Sequence, residues 1–193
     1  MYRVAAVAAT LFDAHELADY RDELISACLL HDMGNIVKFN FDALLIVSPD
    51  ERNHWEVAQK KMIAQYGTSA HKATLAIVDA IGVSSRVREI VDGVDFSNCE
   101  KIAESNDVLL MMAQYADARV TPNGIASLDE RMEDMLTRYA HKHNRNDEET
   151  MRQIRALENI EQQLFTGLLF TPSDITEDST QLMREELKNF VIC

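Results

Sequence analysis

Apolar residues in this chain recur three and four positions apart rather than two, a period that predicts one helix after another. Residues 1–12 place Val4, Val7, Ala8 and Leu11 on one face, and residues 22–33 do the same with Leu24, Ile25, Cys28 and Leu29. A loop or short element follows over 36–49. Ser48-Pro49-Asp50-Glu51 carries a helix start, with a capping hydroxyl, a proline at the first position and acids in the first turn. That helix runs to Tyr66 and stops at Gly67. Thr68 or Ser69 opens the next, to Ile81 before Gly82, and Ser84 opens a short one to Asp92-Gly93. Asn106-Asp107 opens a strongly apolar helix through Val108, Leu109, Met111, Met112 and Tyr115 to Ala118. Thr121-Pro122-Asn123-Gly124 predicts a turn. Helices over 127–141, 147–165 and about 178–191 complete the chain, with a polar linker at 143–147.

The expected fold is therefore all-α. Residues 1–141 form the main helical domain. Residues 142–193 form a two-helix carboxy-terminal extension, too short for a core of its own and so packed on the same one. Composition agrees: with 6 Gly and 3 Pro in 193 residues there is little material for the tight turns of a β-rich chain. Met111, Met112, Met132 and Met135 read as core filler.

A net charge of −13 repels phosphodiester backbones and argues against a nucleic-acid scaffold, though not against a nucleotide substrate beside a bound cation. Cys28, Cys99 and Cys193 are too few and too scattered for a disulfide framework or a zinc knuckle, which fits a reducing cytoplasm. No apolar run reaches the ~18 residues that would span a bilayer. The amino-terminal stretch from Met1 to Ala9 superficially resembles a signal sequence, but it leads straight into the helical pattern and reads as a core helix.

The candidate chemistry centres on Leu29-Leu30-His31-Asp32-Met33-Gly34-Asn35. Adjacent helical side chains diverge by about 100°, but near an unwinding helix end, with Gly34 free to adopt a left-handed cap, His31 and Asp32 can converge. An imidazole nitrogen and a carboxylate oxygen suit a divalent metal, while the plainer reading is a capping Asp beside a core His. Asp117, in Tyr115-Ala116-Asp117-Ala118-Arg119-Val120, opposes the negative end of its helix dipole. It needs a partner, either Arg119 or a metal. His71 and Lys72 open a helix whose amino terminus could meet a phosphate. Lys38 and Arg119 are the basic residues expected nearest the doublet and Asp117. His15 and His54 read as solvated, and His141 and His143 complement a helix end.

On these residues the chain resembles the HD-domain metal-dependent phosphohydrolases. The matching segments are Arg3-Val4-Ala5, the His31-Asp32 doublet in its helical context, and the stretch from Ala116 to Ile125 around Asp117. The likeness covers roughly residues 1–140. It implies an HD-domain-like helical bundle in which His31, Asp32 and Asp117 hold a divalent ion (Mn, Mg, Co, Fe, Ni or Zn). It also implies hydrolysis of a small phosphate ester, such as a nucleotide, with Asp32 and His71 as catalytic residues and Lys38, Lys72 and Arg119 on the substrate. Some relatives use extra histidines, as His71 would be, for a second metal, and an oxygen-dependent di-iron enzyme shares the fold. The family's first ligand, a His about three residues before an Arg-Val-Ala segment, would fall before Met1. Either the chain begins late or the site lacks that ligand and the domain serves as a non-catalytic ligand-binding or scaffolding module. His15 is no substitute, because it follows the end of the first helix, at the far end of the second. The paired tail helices could form a homodimer surface.

Overall fold

The computed structural model describes residues 1–41, 48–138 and 147–193. Helix α1 (Tyr2–Ala14) buries an unbroken run from Val4 to Ala9, then Leu11 and Phe12. The sequence period assigned it one apolar face, but a helix apolar on nearly every side belongs inside. Its alanines let neighbours approach closely: α2 (Arg21–Leu30) and α7 (Val108–Ala118) both pack on it.

Helix α2 stops at Leu30, three residues earlier than the periodicity suggests, and His31 is its carboxy-terminal cap. A 3₁₀ turn over Asn35–Lys38 follows. α3 (Pro49–Tyr66) begins with a reciprocal capping box between Ser48 and Glu51 and lies on that turn, where the Gln59 amide donates to the carbonyls of Ile36 and Phe39 at 2.8 Å each. α4 (Ala70–Ile81) is capped by Ser69 and ended by Gly82 in the left-handed region, and α5 (Ser85–Gly93) is capped by Ser84.

Gly34 departs from its expected role. Its φ is −82°, so it is no left-handed cap. It is needed for space: a Cβ there would stand 2.3 Å from the Ala70 carbonyl oxygen and 2.5 Å from the Thr74 nitrogen. The Gly34 N–H donates to Thr74 Oγ1 at 2.9 Å, which seats the chain after the doublet against the first turn of α4.

α6 (Cys99–Glu104), which the periodicity does not isolate, precedes α7 (Val108–Ala118), capped by Asp107. The expected turn at 121–124 is the tip of a two-residue antiparallel ladder, β1 (Val120–Thr121) with β2 (Gly124–Ile125). α8 (Leu128–Arg138) starts with a reciprocal Ser127–Glu130 cap and packs on α7 and β1. Its expected continuation to His141 and the polar linker up to 146 lie outside the described residues.

α9 (Glu148–Phe165), capped by Asp147, lays Ile154, Leu157, Ile160 and Leu164 against α6 and α7. The final expected helix is shorter than its pattern. A turn held by Thr180 Oγ1 on the Thr176 carbonyl delays it, leaving α10 (Gln181–Glu186) and a 3₁₀ turn over Leu187–Asn189, both packed on α1. The tail helices thus part and grip the bundle at two places, and Ile160, Ile175 and Leu187 join the same apolar core as α1, α2 and α7. Glu177 fastens this grip: it accepts from Arg3 Nε at 2.5 Å and from the Ile125 N–H at 2.9 Å, and it pairs with Arg184 at 2.7 Å.

All three cysteines are free. Among the described residues no helix is long and apolar enough to cross a membrane.

Candidate metal centre

The carboxy-terminal ends of α2 and α7 meet beside the first turn of α1, and there His31, Asp32 and Asp117 converge. His31 Nε2 lies 3.1 Å from Asp117 Oδ1 and 3.8 Å from Asp32 Oδ2. One ligand atom from each of the three falls within 4.8 Å of the other two, so the group could hold a metal ion. The His31 side chain is 7% exposed, while those of Asp32 and Asp117 are 45% and 38% exposed, so the cluster has a buried nitrogen and an open acidic rim.

Ending α2 at Leu30 produces this geometry. His31 Nδ1 lies 2.9 Å from the Cys28 carbonyl, which can only accept, so Nδ1 carries the proton and donates. Nε2 then faces the Asp117 carboxylate. Two lone pairs cannot face each other there, so a proton or a cation must stand between them. The second-position hydrogen bond to a backbone carbonyl is also how ligating histidines are usually oriented.

Electrostatics favour the ionised pair in the absence of a cation. Burial pushes the Asp117 carboxyl up, but the His31 hydrogen bond and charge, with Arg131 and the Met1 amino group, outweigh it and hold the carboxyl below its ordinary range. Burial pulls the His31 imidazole down, and the Asp117 hydrogen bond and the charges of Asp117 and Asp32 reverse that, leaving it raised. These charges compensate the unfavourable position of Asp117 at a helix carboxy terminus. Cys28, just beneath, has its thiol pushed up by burial and is not a competing thiolate.

The other expected residues are not members of this ligating group. Arg119 turns inward and is 3% exposed. It donates to the Ala126, Pro172 and Ile175 carbonyls and to the Tyr115 hydroxyl, which in turn donates to Glu161 at 2.6 Å. Neither the expected Asp117 pairing nor a substrate-facing guanidinium forms, because three carbonyls of the hairpin and tail and the Tyr115 hydroxyl of α7 claim the fork first. His71 Nε2 is 2.9 Å from Asp92 Oδ1 on an exposed face and stands outside the metal-ligating group. Lys72 is exposed on the same turn of α4, and Lys38, also exposed, ends the 3₁₀ turn that packs on α4. His15 is not a solvated loop residue: its Nε2 lies 2.8 Å from the Leu164 carbonyl at the end of α9. His54 is exposed, edge-on to Trp55 at 5.4 Å, and His141 and His143 lie outside the described residues. The four methionines named above are buried, as expected of filler.

Arg131 on α8 was not singled out by the sequence. The available signal was a cation at position 131 inside the apolar stripe of Leu128, Met132 and Met135. Compared with family models, with curated proteins and with solved structures, the chain matches none.

Proposed function

We propose that this protein is a metal-dependent phosphohydrolase of the HD-domain type, acting on a small phosphate ester. The observation that supports this reading is the convergence of His31, Asp32 and Asp117, with His31 Nδ1 committed to the Cys28 carbonyl and Nε2 left for a cation. One imidazole and two carboxylates are a fitting donor set for Mn²⁺, Fe²⁺, Co²⁺, Ni²⁺ or Zn²⁺. A divalent ion there supplies Lewis acidity toward a phosphoryl oxygen and acidifies water.

The protein's own groups divide the remaining work. The Cys28 carbonyl fixes the tautomer and ring plane of His31. Arg131 helps keep Asp117 ionised and ready to ligate. Asp32, the most exposed of the three, forms the open side of the donor set, where substrate enters. Lys38, Lys72 and His71, from two elements in contact, are assigned to the substrate side, with Asp92 orienting the His71 ring.

The test is metal analysis of the purified chain after dialysis against Mn²⁺, with hydrolysis of a chromogenic phosphate monoester. About one ion per chain and activity lost in both Asp32→Ala and Asp117→Ala support the reading. Metal uptake without hydrolysis of any phosphate ester in a broad panel would leave a ligand-binding module instead. Activity that survives both substitutions removes the proposal.

A further inference from the structure

We propose that the cavity between the α1–α2 loop and the first turns of α5 and α7 docks a basic segment of a partner protein, seating an apolar side chain between lysines or arginines. The cavity lies at the other end of α2 from the metal centre, about 15 Å away along that helix, and the inference does not depend on the metal reading.

The cavity encloses about 690 Å³, a size that suits a bound side chain and its neighbours. Its apolar walls are Leu17, Tyr20, Val108 and Leu109. Leu17 is 36% and Tyr20 55% exposed, and the Tyr20 hydroxyl has no hydrogen-bond partner among the described residues. The backbone is bent to hold them there. Glu16, Tyr20 and Asn106, with φ of 51°, 76° and 56°, are the non-glycine residues of positive φ among the described ones. Tyr20 and Asn106 line the cavity, and Glu16 adjoins Leu17. Asparagine tolerates this conformation, whereas an aromatic residue in it is strained and glycine would adopt it freely. Strain that presents a half-exposed ring to water brings the folded chain no burial in return, which is the pattern of a contact surface rather than of a core.

Charge selects the occupant. The lining carries Asp19, Glu89 and Asp107 against one cation, Arg86. Asp107 takes both terminal nitrogens of Arg86, at 2.9 and 2.5 Å, and Glu89 reaches Arg86 only at 3.5 Å. Asp19 has no ion pair among the described residues, and Asp22 and Glu23 follow in the first turn of α2. The first turns of α5 and α7 offer no anion seat, because Ser84 and Asp107 already accept from the Val87 and Leu110 N–H groups. The rim therefore repels phosphate-bearing surfaces, and equally a second copy of a chain of net charge −13, and it attracts Lys or Arg. An apolar side chain in the cavity with basic neighbours on the rim satisfies both features, as amphipathic segments do in grooves.

The experiment uses the full chain and, as probe, a fluorescent amphipathic peptide of leucine and lysine, read by anisotropy. Wild type should bind it about tenfold or more tightly than a serine–lysine peptide of the same charge, and should not bind a leucine–glutamate one. Tyr20→Gly should keep or raise Tm, since glycine relieves the backbone, yet weaken peptide affinity about tenfold, a split that a structural role would not produce. Leu17→Ser and the double variant Asp19→Asn with Glu89→Gln should weaken it as well, while Val57→Ser, at an exposed residue of α3, should not. Peptide affinity equal to wild type in both Tyr20→Gly and Leu17→Ser overturns the proposal, and should Tyr20→Gly fail to fold, Leu17→Ser alone decides. A wild type that binds the serine–lysine peptide as tightly attracts cations by charge alone, and one that binds no peptide has no such surface; either result overturns it too. Chain treated with EDTA should bind the peptide equally, so failure here leaves the metal-centre reading untouched.

Discussion

The Nε2 atom of His31 stands 3.1 Å from Oδ1 of Asp117, although 86 positions separate the two residues in the chain. Each comes from the carboxy-terminal end of a different helix packed on α1, and the buried imidazole needs the carboxylate as much as the carboxylate needs a positive partner.

Removing either side of this pair should remove the metal. Loss of groups that only orient a ligand weakens metal sites about 10–100-fold, so His31→Gln or Asp117→Asn should cost about 100-fold or more in Mn²⁺ affinity. Calorimetric titration measures this, and an affinity within threefold of wild type would show that the ion binds elsewhere.

The same pair makes the metal-free chain pH-sensitive on both sides. His31 is raised, so its contribution is whole below its ordinary pKa of about 6.5 and is lost as pH climbs through the higher folded value. Asp117 is lowered, so its contribution is whole above about 3.9 and is lost as pH falls through the lower folded value. In EDTA, the Tm gap between wild type and His31→Gln should be widest from about pH 4 to 6.5 and narrow toward pH 9. Metal uptake should run the other way, improving with pH as the ion displaces the His31 proton. A Tm gap constant from pH 5 to 9 contradicts the raised imidazole.

Gly34→Ala should destabilise the fold by about 1–3 kcal/mol, since the new methyl meets backbone atoms of α4 that cannot rotate away. For a chain of this size that is about 2–10 °C in Tm. Because residue 34 sits two positions after Asp32, Mn²⁺ affinity should weaken too. An unchanged Tm would mean that α4 is not seated on this segment.

Arg119→Met should behave as a structural lesion. It strands three carbonyls and the Tyr115 hydroxyl, at a cost of about 2–4 kcal/mol and a Tm lower by several degrees, while Mn²⁺ and phosphate affinities in the folded fraction hold within about threefold. A specific rise in KM with an unchanged Tm would return Arg119 to the substrate.

Glu177→Gln should loosen the tail. It weakens two arginine contacts while leaving an oxygen for the Ile125 N–H, and the loss should show as faster amide exchange in α10 before global unfolding. Exchange in α10 equal to wild type would place the tail's anchorage elsewhere.

Helix identity was legible from the chain because caps and stops are local. Ser48 and Ser84 cap the helices that the sequence opens on them, Ser69 and Asp107 are the caps within the expected openings Thr68 or Ser69 and Asn106-Asp107, and Gly67 and Gly82 end their helices where expected. The His31–Asp32–Asp117 set was legible as a list of donors for the same reason, since residue type states what an atom can bind. Direction and contact were not. Arg119 was as plausible on Asp117 as on a substrate phosphate, and only packing put four acceptors around its fork. Gly34 was read from the sequence only as a left-handed cap, and the approach of α4 made space, not φ, the reason for it. His15 found the Leu164 carbonyl 149 positions away, and Arg131 became notable only through its effect on the Asp117 carboxyl. Sequence by itself determined most of the helices, several of their caps and stops, and the supply of ligand atoms, because those depend on neighbours within a few residues; it missed α6, the end of α2 and the late start of α10. The tertiary structure decided which of those atoms meet, because convergence across 86 or 149 positions follows from how helices pack around α1, and local pattern carries no record of it.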